Sequence, residues 1–123
     1  MQRKWFTLLL CVLSLARCTT NDPAALVESY LQAVIDDNTE QLAELVCAAR
    51  EADALTAAAS LRGTGASLQD MQCTVIEVDA AYQIVQCQGR IVVTYQGEQR
   101  ELPLGRYRLI LERDSWRVCG EIS

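Results

Sequence analysis

Val85-Gln86-Cys87-Gln88-Gly89-Arg90-Ile91-Val92-Val93-Thr94-Tyr95-Gln96 alternates almost without fault. Val85, Cys87, Gly89, Ile91, Val93 and Tyr95 take one face. Gln86, Gln88, Arg90, Thr94 and Gln96 take the other, where only Val92 breaks the pattern. A period of two with one dry and one wet face marks an antiparallel strand covered on one side. Upstream, Met71, Cys73 and Val75 carry the same parity, and Asp79-Ala80-Ala81 supplies a tight turn between the two strands. A hairpin centred on Ala80 sets Val78 against Tyr82, Val75 against Val85 and Cys73 against Cys87. Directly opposed residues lie about 4.5 to 5.5 Å apart at Cα, inside disulfide range. The parity that buries the valines thus brings two sulfurs together.

The pattern continues downstream. Gln96-Gly97-Glu98 makes a second turn. Leu102 to Arg113 reads as a third strand, bent around Pro103 and Gly105, with Tyr107, Leu109 and Leu111 pointing inward. Asp114-Ser115 turns the chain again, and Trp116-Arg117-Val118-Cys119 forms the last strand.

The half before Gly63 is helical. Asp22 is an N-cap and Pro23 occupies the first helical position. Val27, Tyr30, Leu31, Val34 and Ile35 recur at helical spacing, with Glu28, Gln32 and Asp36 on the other face. Asn38, followed by Gln41 at the capping-box position, opens a second helix whose stripe is Leu42, Leu45, Val46 and Ala49. Alanine-rich Ala48 to Leu61 continues it, either as one long helix or as two with a bend near Ala52. Gly63-Thr64-Gly65 ends the helical half. It lacks the further glycines and the lysine of a phosphate-cradling loop.

The first residues carry an address. Arg3 and Lys4 precede an apolar run from Phe6 to Ala16, closed by Leu15-Ala16-Arg17-Cys18. A charged start, a short apolar middle and a processing site make a secretory signal. The run is shorter than the roughly twenty residues a spanning helix needs. The expected division is a signal over 1–17, a tether over 18–22 and one domain over 23–123. Leu15-Ala16-Arg17-Cys18 resembles the lipobox of bacterial lipoproteins, which implies that Cys18 is acylated and becomes the mature N-terminus; ordinary cleavage after Ala16 and an uncleaved anchor are the rival readings.

Six cysteines are present. Cys11 lies in the signal. Cleavage after Ala16 would leave five, an odd set, whereas acylation of Cys18 leaves four for two bridges. Beside Cys73–Cys87, the remaining pair is Cys47 with Cys119, which would tie a helix to the last strand. Four cysteines allow three connectivities, and buried free thiols are the alternative. The spacings are too wide for paired zinc ligands.

From Cys18 onward, eight basic residues stand against sixteen acidic ones, a formal charge of −8, and no basic cluster occurs. Such a surface repels nucleic acid, so no nucleic-acid partner is expected. The same stretch holds no histidine and no lysine. That removes histidine-activated nucleophiles, histidine metal ligands and Schiff-base chemistry. No cofactor and no metal are expected. Asp36, Asp37 and Glu40 lack the spaced aspartate loop and glycine of a calcium site and read as a helix end and cap.

Helices followed by a curved four-stranded antiparallel meander make an α+β layer arrangement. The chain resembles the NTF2-like superfamily with its cystatin-like fold, and more closely its small bacterial lipoproteins of the DUF4878 type. The residues that carry the likeness are 25–33 (Ala-Leu-Val-Glu-Ser-Tyr-Leu-Gln-Ala), Asp36-Asp37-Asn38, and the ending from Leu109 to Cys119. In that family the cysteine at the position of Cys18 bears a lipid and anchors the protein outside the cell membrane. The resemblance also implies two to three helices packed on the sheet, often around a conical pocket. Tyr30, Tyr95, Tyr107 and Trp116 would line such a pocket or else fill the core. Glu77 shares the parity of Cys73 and Val75 and is the candidate inward acid. The fold hosts enzymes and non-enzymes alike. Three roles follow in order: a non-catalytic binding or accessory domain, a subunit pairing through the sheet face around Val92 and Ile110, and an enzyme acting on a small apolar substrate.

Overall fold

The computed structural model describes residues 22–122. The signal, Cys18 and most of the tether lie outside the described residues. Three α-helices precede five strands: α1 (Pro23–Asp36), α2 (Thr39–Leu45), α3 (Glu51–Ser60), β1 (Ser67–Val78), β2 (Tyr82–Tyr95), β3 (Glu98–Pro103), β4 (Arg106–Glu112) and β5 (Ser115–Ile122). Among the described residues no helix is long and apolar enough to cross a membrane.

The caps form where the sequence places them. The Asp22 carboxylate accepts from the Ala24 N–H at 3.1 Å, and Pro23 opens α1. Asp37 closes α1 in the left-handed conformation, its N–H donating to the Ala33 and Val34 carbonyls. Asn38 accepts from the Gln41 N–H at 3.2 Å and caps α2. The face of α1 bearing Val27, Leu31 and Val34 is buried.

The second helix ends earlier than its composition suggests. Helix propensity alone would carry it through Cys47 and bend it near Ala52. Instead Val46 is extended and pairs in parallel with Val118, and the Cys47 N–H donates to the Val118 carbonyl at 2.9 Å. A 3-10 turn, Ala48–Arg50, then leads into α3. Tertiary pairing overrides propensity at this point. Val46 is buried as a bridge residue rather than a helical one, and Ala49 is exposed instead of joining the stripe.

The sheet has four antiparallel lanes in the order β1-β2-β4-β5, with β3 continuing the β4 lane along the far half of β2. The expected third strand is therefore two strands. It begins at Glu98 rather than Leu102, and Leu104-Gly105 interrupts it. The hairpin register holds at Cys73 against Cys87 and Val75 against Val85. Nearer the turn it slips. A bulge between Val75 and Glu77 sets Glu77 against Ile84 and Val78 against Gln83, not Tyr82.

Both bridges are closed, Cys73–Cys87 within the hairpin and Cys47–Cys119 between the helical layer and β5. In the chain-entropy picture their loops of 14 and 72 residues contribute about 3 and about 4.4 kcal/mol.

One line of irregular backbone crosses the sheet and bends it. Asp70 has φ 55° inside a bulge of β1, and Gly89 of β2 lies beside it at φ 104°. On the far side the Leu104 N–H donates to the Gly89 carbonyl at 3.0 Å, where the third lane breaks. A side chain at Gly89 would place its Cβ 2.5 Å from the Asp70 carbonyl oxygen. Bulges and strand glycines increase local bend and twist. The bent sheet wraps the helices, and Val27, Leu42, Val85, Leu109 and Val118 fill the space between at 0–1 % exposure.

The two residues expected on the outer sheet face behave differently. Ile110 is partly exposed, but Val92 is buried, 6 % exposed. Val92 sits at the bent end of β2, between Ser67 and Glu101 on its neighbouring lanes. Ile76, Val78 and Leu111 are the large apolar side chains left exposed around the Asp79 turn and the neighbouring strand end.

Candidate functional site

The open end of the bent sheet leaves a cleft with two lobes. One, of about 240 Å³, lies between α3, the 3-10 turn and β5; Val46, Ala54, Ala57 and Val118 floor it, and Arg50, Asp53 and Glu121 stand on its rim. The other, of about 250 Å³, lies between α1, the end of α3 and the crossing of β2 with β3 and β4. Its walls are aliphatic: Leu31, Val34, Leu61, Ile91, Leu102 and Leu104. Tyr30, Ala57 and Glu121 line both lobes.

Glu121 reaches the cleft because β5 carries an extra residue. Leu109 pairs with Val118, yet Tyr107 pairs with Glu121. Three residues of β5 thus span two of β4. Strict alternation from inward-facing Val118 would send Glu121 to the outer face; the bulge returns it to the face of Tyr107. Gly120 absorbs the distortion at φ 112°. A Cβ there would meet the Arg50 Nε at 3.4 Å, so the guanidinium packs over this glycine. Strand bulges commonly re-aim a side chain in this way. At the neighbouring lane, a Cβ on Gly105 would come within 2.8 Å of the Glu121 Oε2.

Tyr30 and Tyr107 meet edge to face, ring centroids 6.1 Å apart and planes at 61°. Burial, followed by the charge of the Glu121 carboxylate, raises the Tyr107 phenol to about 12; the Gly105 N–H opposes this and Tyr30 adds to it. Burial likewise raises Tyr30, followed by the charges of Glu121 and Asp53. Both phenols therefore remain protonated donors at any ordinary pH. The Tyr107 oxygen accepts from the Gly105 N–H at 3.5 Å. Arg50 pairs with Asp53 at 3.0 Å.

The four aromatics named from the sequence separate. Tyr30 and Tyr107 line the cleft. Tyr95 does not: it ends β2 beside the Gly97 turn and is 51 % exposed. Trp116 packs partly buried against the core at the opposite end of β5, across from Leu111, and lines neither lobe. Glu77 is not an inward acid. The Val75–Glu77 bulge reverses its parity, and its exposed carboxylate accepts a short hydrogen bond from the Tyr82 hydroxyl. That bond, followed by the charge of Glu77, raises the Tyr82 phenol. The acid in the cleft is Glu121, which alternation from Trp116 and Val118 does not reveal. Gly120 inside a strand just before it is the sequence signal of the bulge. Among the described residues no group of His, Cys, Asp or Glu side chains is placed to hold a metal ion.

The arrangement can bind a small molecule with an apolar body. Two phenols and the Glu121 carboxylate gather near the meeting of the lobes, Arg50 and Asp53 stand on the rim of the first, and the second is walled mainly by aliphatic side chains.

No family model and no curated protein matches the chain. Solved structures do. An NTF2-like protein with a cystatin-like fold from Novosphingobium aromaticivorans is similar at 15% identity and a TM-score of 0.55, over 79% of this chain and 75% of that one. Aln2 from a Streptomyces species is similar at 17% identity and a TM-score of 0.53, over 79% of this chain and 82% of that one. At these identities the likeness concerns architecture alone. Three helices on an open, bent antiparallel sheet, superposable on these structures, give this chain the NTF2-like, cystatin-like fold.

Proposed function

We propose that the chain is a non-catalytic binding or accessory domain held at the outer face of a cell membrane, akin to small lipoproteins of the DUF4878 type. In this reading residues 1–17 are the export signal, Cys18 carries the lipid, 18–22 tether it and 23–123 form the binding domain. The observation that carries the binding role is the two-lobed cleft, one lobe aliphatic-walled and the other rimmed by Arg50 and Asp53, with Glu121, Tyr30 and Tyr107 near their junction. Small-ligand sites are typically apolar concavities with a few convergent polar groups. The oxidised pairs Cys47–Cys119 and Cys73–Cys87 suit an export address, since reducing compartments keep thiols free.

Ala57 belongs to both lobes, so Ala57→Phe fills the cleft from its floor. An environment-sensitive apolar dye should bind the native protein and lose that binding in the variant while circular dichroism is unchanged. Equal dye binding in both proteins would remove the cleft from the reading. The address is tested by mass spectrometry of the native N-terminus with and without reduction. A chain beginning at acylated Cys18 with two intact bridges supports it, and a chain beginning at Met1 overturns it.

A second reading is an enzyme on a small apolar substrate. The bulge that aims Glu121 at two protonated phenols favours it, because a carboxylate beside hydroxyl donors can exchange protons with a bound molecule. Turnover abolished by Glu121→Gln would select this reading over the first. Pairing of two copies through the outer sheet face near Ile110 is a third role, checked by sedimentation at high concentration.

A further inference from the structure

We infer that the cleft takes a small amphiphilic amine, its protonated head at Glu121 and its short aryl or alkyl tail in the lobe walled by Leu31, Leu61, Ile91 and Leu102. The inference rests on the cleft reading above and adds the charge of the occupant.

The charge sign comes first. Asp53 and Glu121 face Arg50 around the rim, and Arg50 is engaged by Asp53 at 3.0 Å. Among the described residues Glu121 forms no ion pair, so its exposed carboxylate at the junction of the lobes is free to take a cation from solution. A charge-assisted hydrogen bond to an ammonium head supplies one.

The rings beside that carboxylate point the same way. Tyr30 and Tyr107 stand edge to face and both line the aliphatic lobe that Glu121 overlooks. A cation at Glu121 lies near both tyrosine rings, and aromatic quadrupoles attract positive charge placed over a ring face. An anionic head would be repelled by the Glu121 carboxylate, which stands exposed on the rim. A neutral alcohol would satisfy a hydrogen bond but leave the charge without a counterpart.

Size decides the tail. An apolar cavity of about 150 Å³ already accepts benzene, and the aliphatic lobe measures about 250 Å³. That volume leaves room for a phenyl ring on a two-carbon linker whose amine would lie at the junction. The net negative charge of the chain also draws cations toward its surface.

The test is calorimetric titration of the oxidised protein with phenethylamine, 2-phenylethanol and 3-phenylpropionate, which carry the same aryl tail and differ in head charge. The amine should bind at least about tenfold more tightly than the alcohol, and the acid most weakly. Glu121→Gln should bring the amine down to the alcohol's affinity and leave the alcohol unchanged. Glu77→Gln, at the far end of the sheet, should change neither. Equal affinity for amine and alcohol, or tightest binding of the acid, overturns the inference while leaving a binding cleft. If no probe binds the native protein more tightly than it binds Ala57→Phe, the inference and the cleft reading fall together.

Discussion

Tyr107 of β4 lies directly across from Glu121 of β5, whereas Leu109, two residues further along β4, lies across from Val118, three residues back along β5. That mismatch of one residue decides which side of the sheet receives a carboxylate. It puts Glu121 close enough to raise the phenols of both Tyr107 and Tyr30. Glu121→Gln should therefore lower the pH at which Tyr107 ionises, read by ultraviolet difference titration. The larger part of the elevation should remain, because burial is its main cause.

Gly120 makes the mismatch possible. At φ 112° Gly120→Ala forces an unfavourable backbone region, while its Cβ would make only ordinary contact with the Arg50 side chain. We expect a loss of about 1–3 kcal/mol in urea unfolding. An unchanged midpoint would mean that the bulge is not held as described.

Gly89 should be the least replaceable glycine of the chain. An alanine Cβ there would overlap the Asp70 carbonyl, which is backbone and has no easy escape. Gly89→Ala should cost at least about 3 kcal/mol, strain and overlap together. Gly97→Ala is the control. Its φ is 81° but nothing lies within 4 Å of its would-be Cβ, so about 1 kcal/mol is expected. Denaturant midpoints of the two variants, measured side by side, check the contrast.

Removing the cysteines as pairs separates the two bridges. Cys47→Ala with Cys119→Ala should lower stability by about 4 kcal/mol, and Cys73→Ala with Cys87→Ala by about 3 kcal/mol. The order matters more than the values, because the first bridge closes the longer loop. A reversed order in guanidinium unfolding would show that residual structure in the unfolded chain, rather than loop length, dominates.

Stability should decline at alkaline pH. The Tyr107 phenol titrates at about 12 in the folded protein against its ordinary 10.0. Below pH 10 neither state is ionised and this group has no effect on the balance. Between 10 and about 12 the unfolded chain loses a proton that the folded chain retains, so the folded state loses ground. Tyr107→Phe should make that decline shallower, measured as urea midpoint against pH.

The sequence makes much of this architecture legible. The period-two run from Val85, the caps at Asp22 and Asn38, and the shared parity of Cys73 and Cys87 are local signals, and each appears in the structure. What stays hidden depends on single inserted residues or on distant pairing. Alternation counts residues evenly, so it carries Glu77 inward and Glu121 outward, and a bulge reverses each. Helix propensity carries α2 through Cys47, and a bridge to Val118, 72 residues away from Val46, stops it. Val92 reads as a flaw in the wet face, yet it is buried. In the cleft, Tyr30 and Tyr107 follow from helical and strand periodicity, while Arg50 and Asp53 arrive only because the second helix breaks.

The bond between Cys47 and Cys119 joins the two segments that frame the cleft's mouth: Arg50 follows one sulfur by three residues, and Glu121 follows the other by two. In a chain still carrying thiols, no covalent bond would hold these two segments together. Competence for ligand would then come with oxidation, and a copy retained in a reducing compartment would be silent however well folded its remaining strands are.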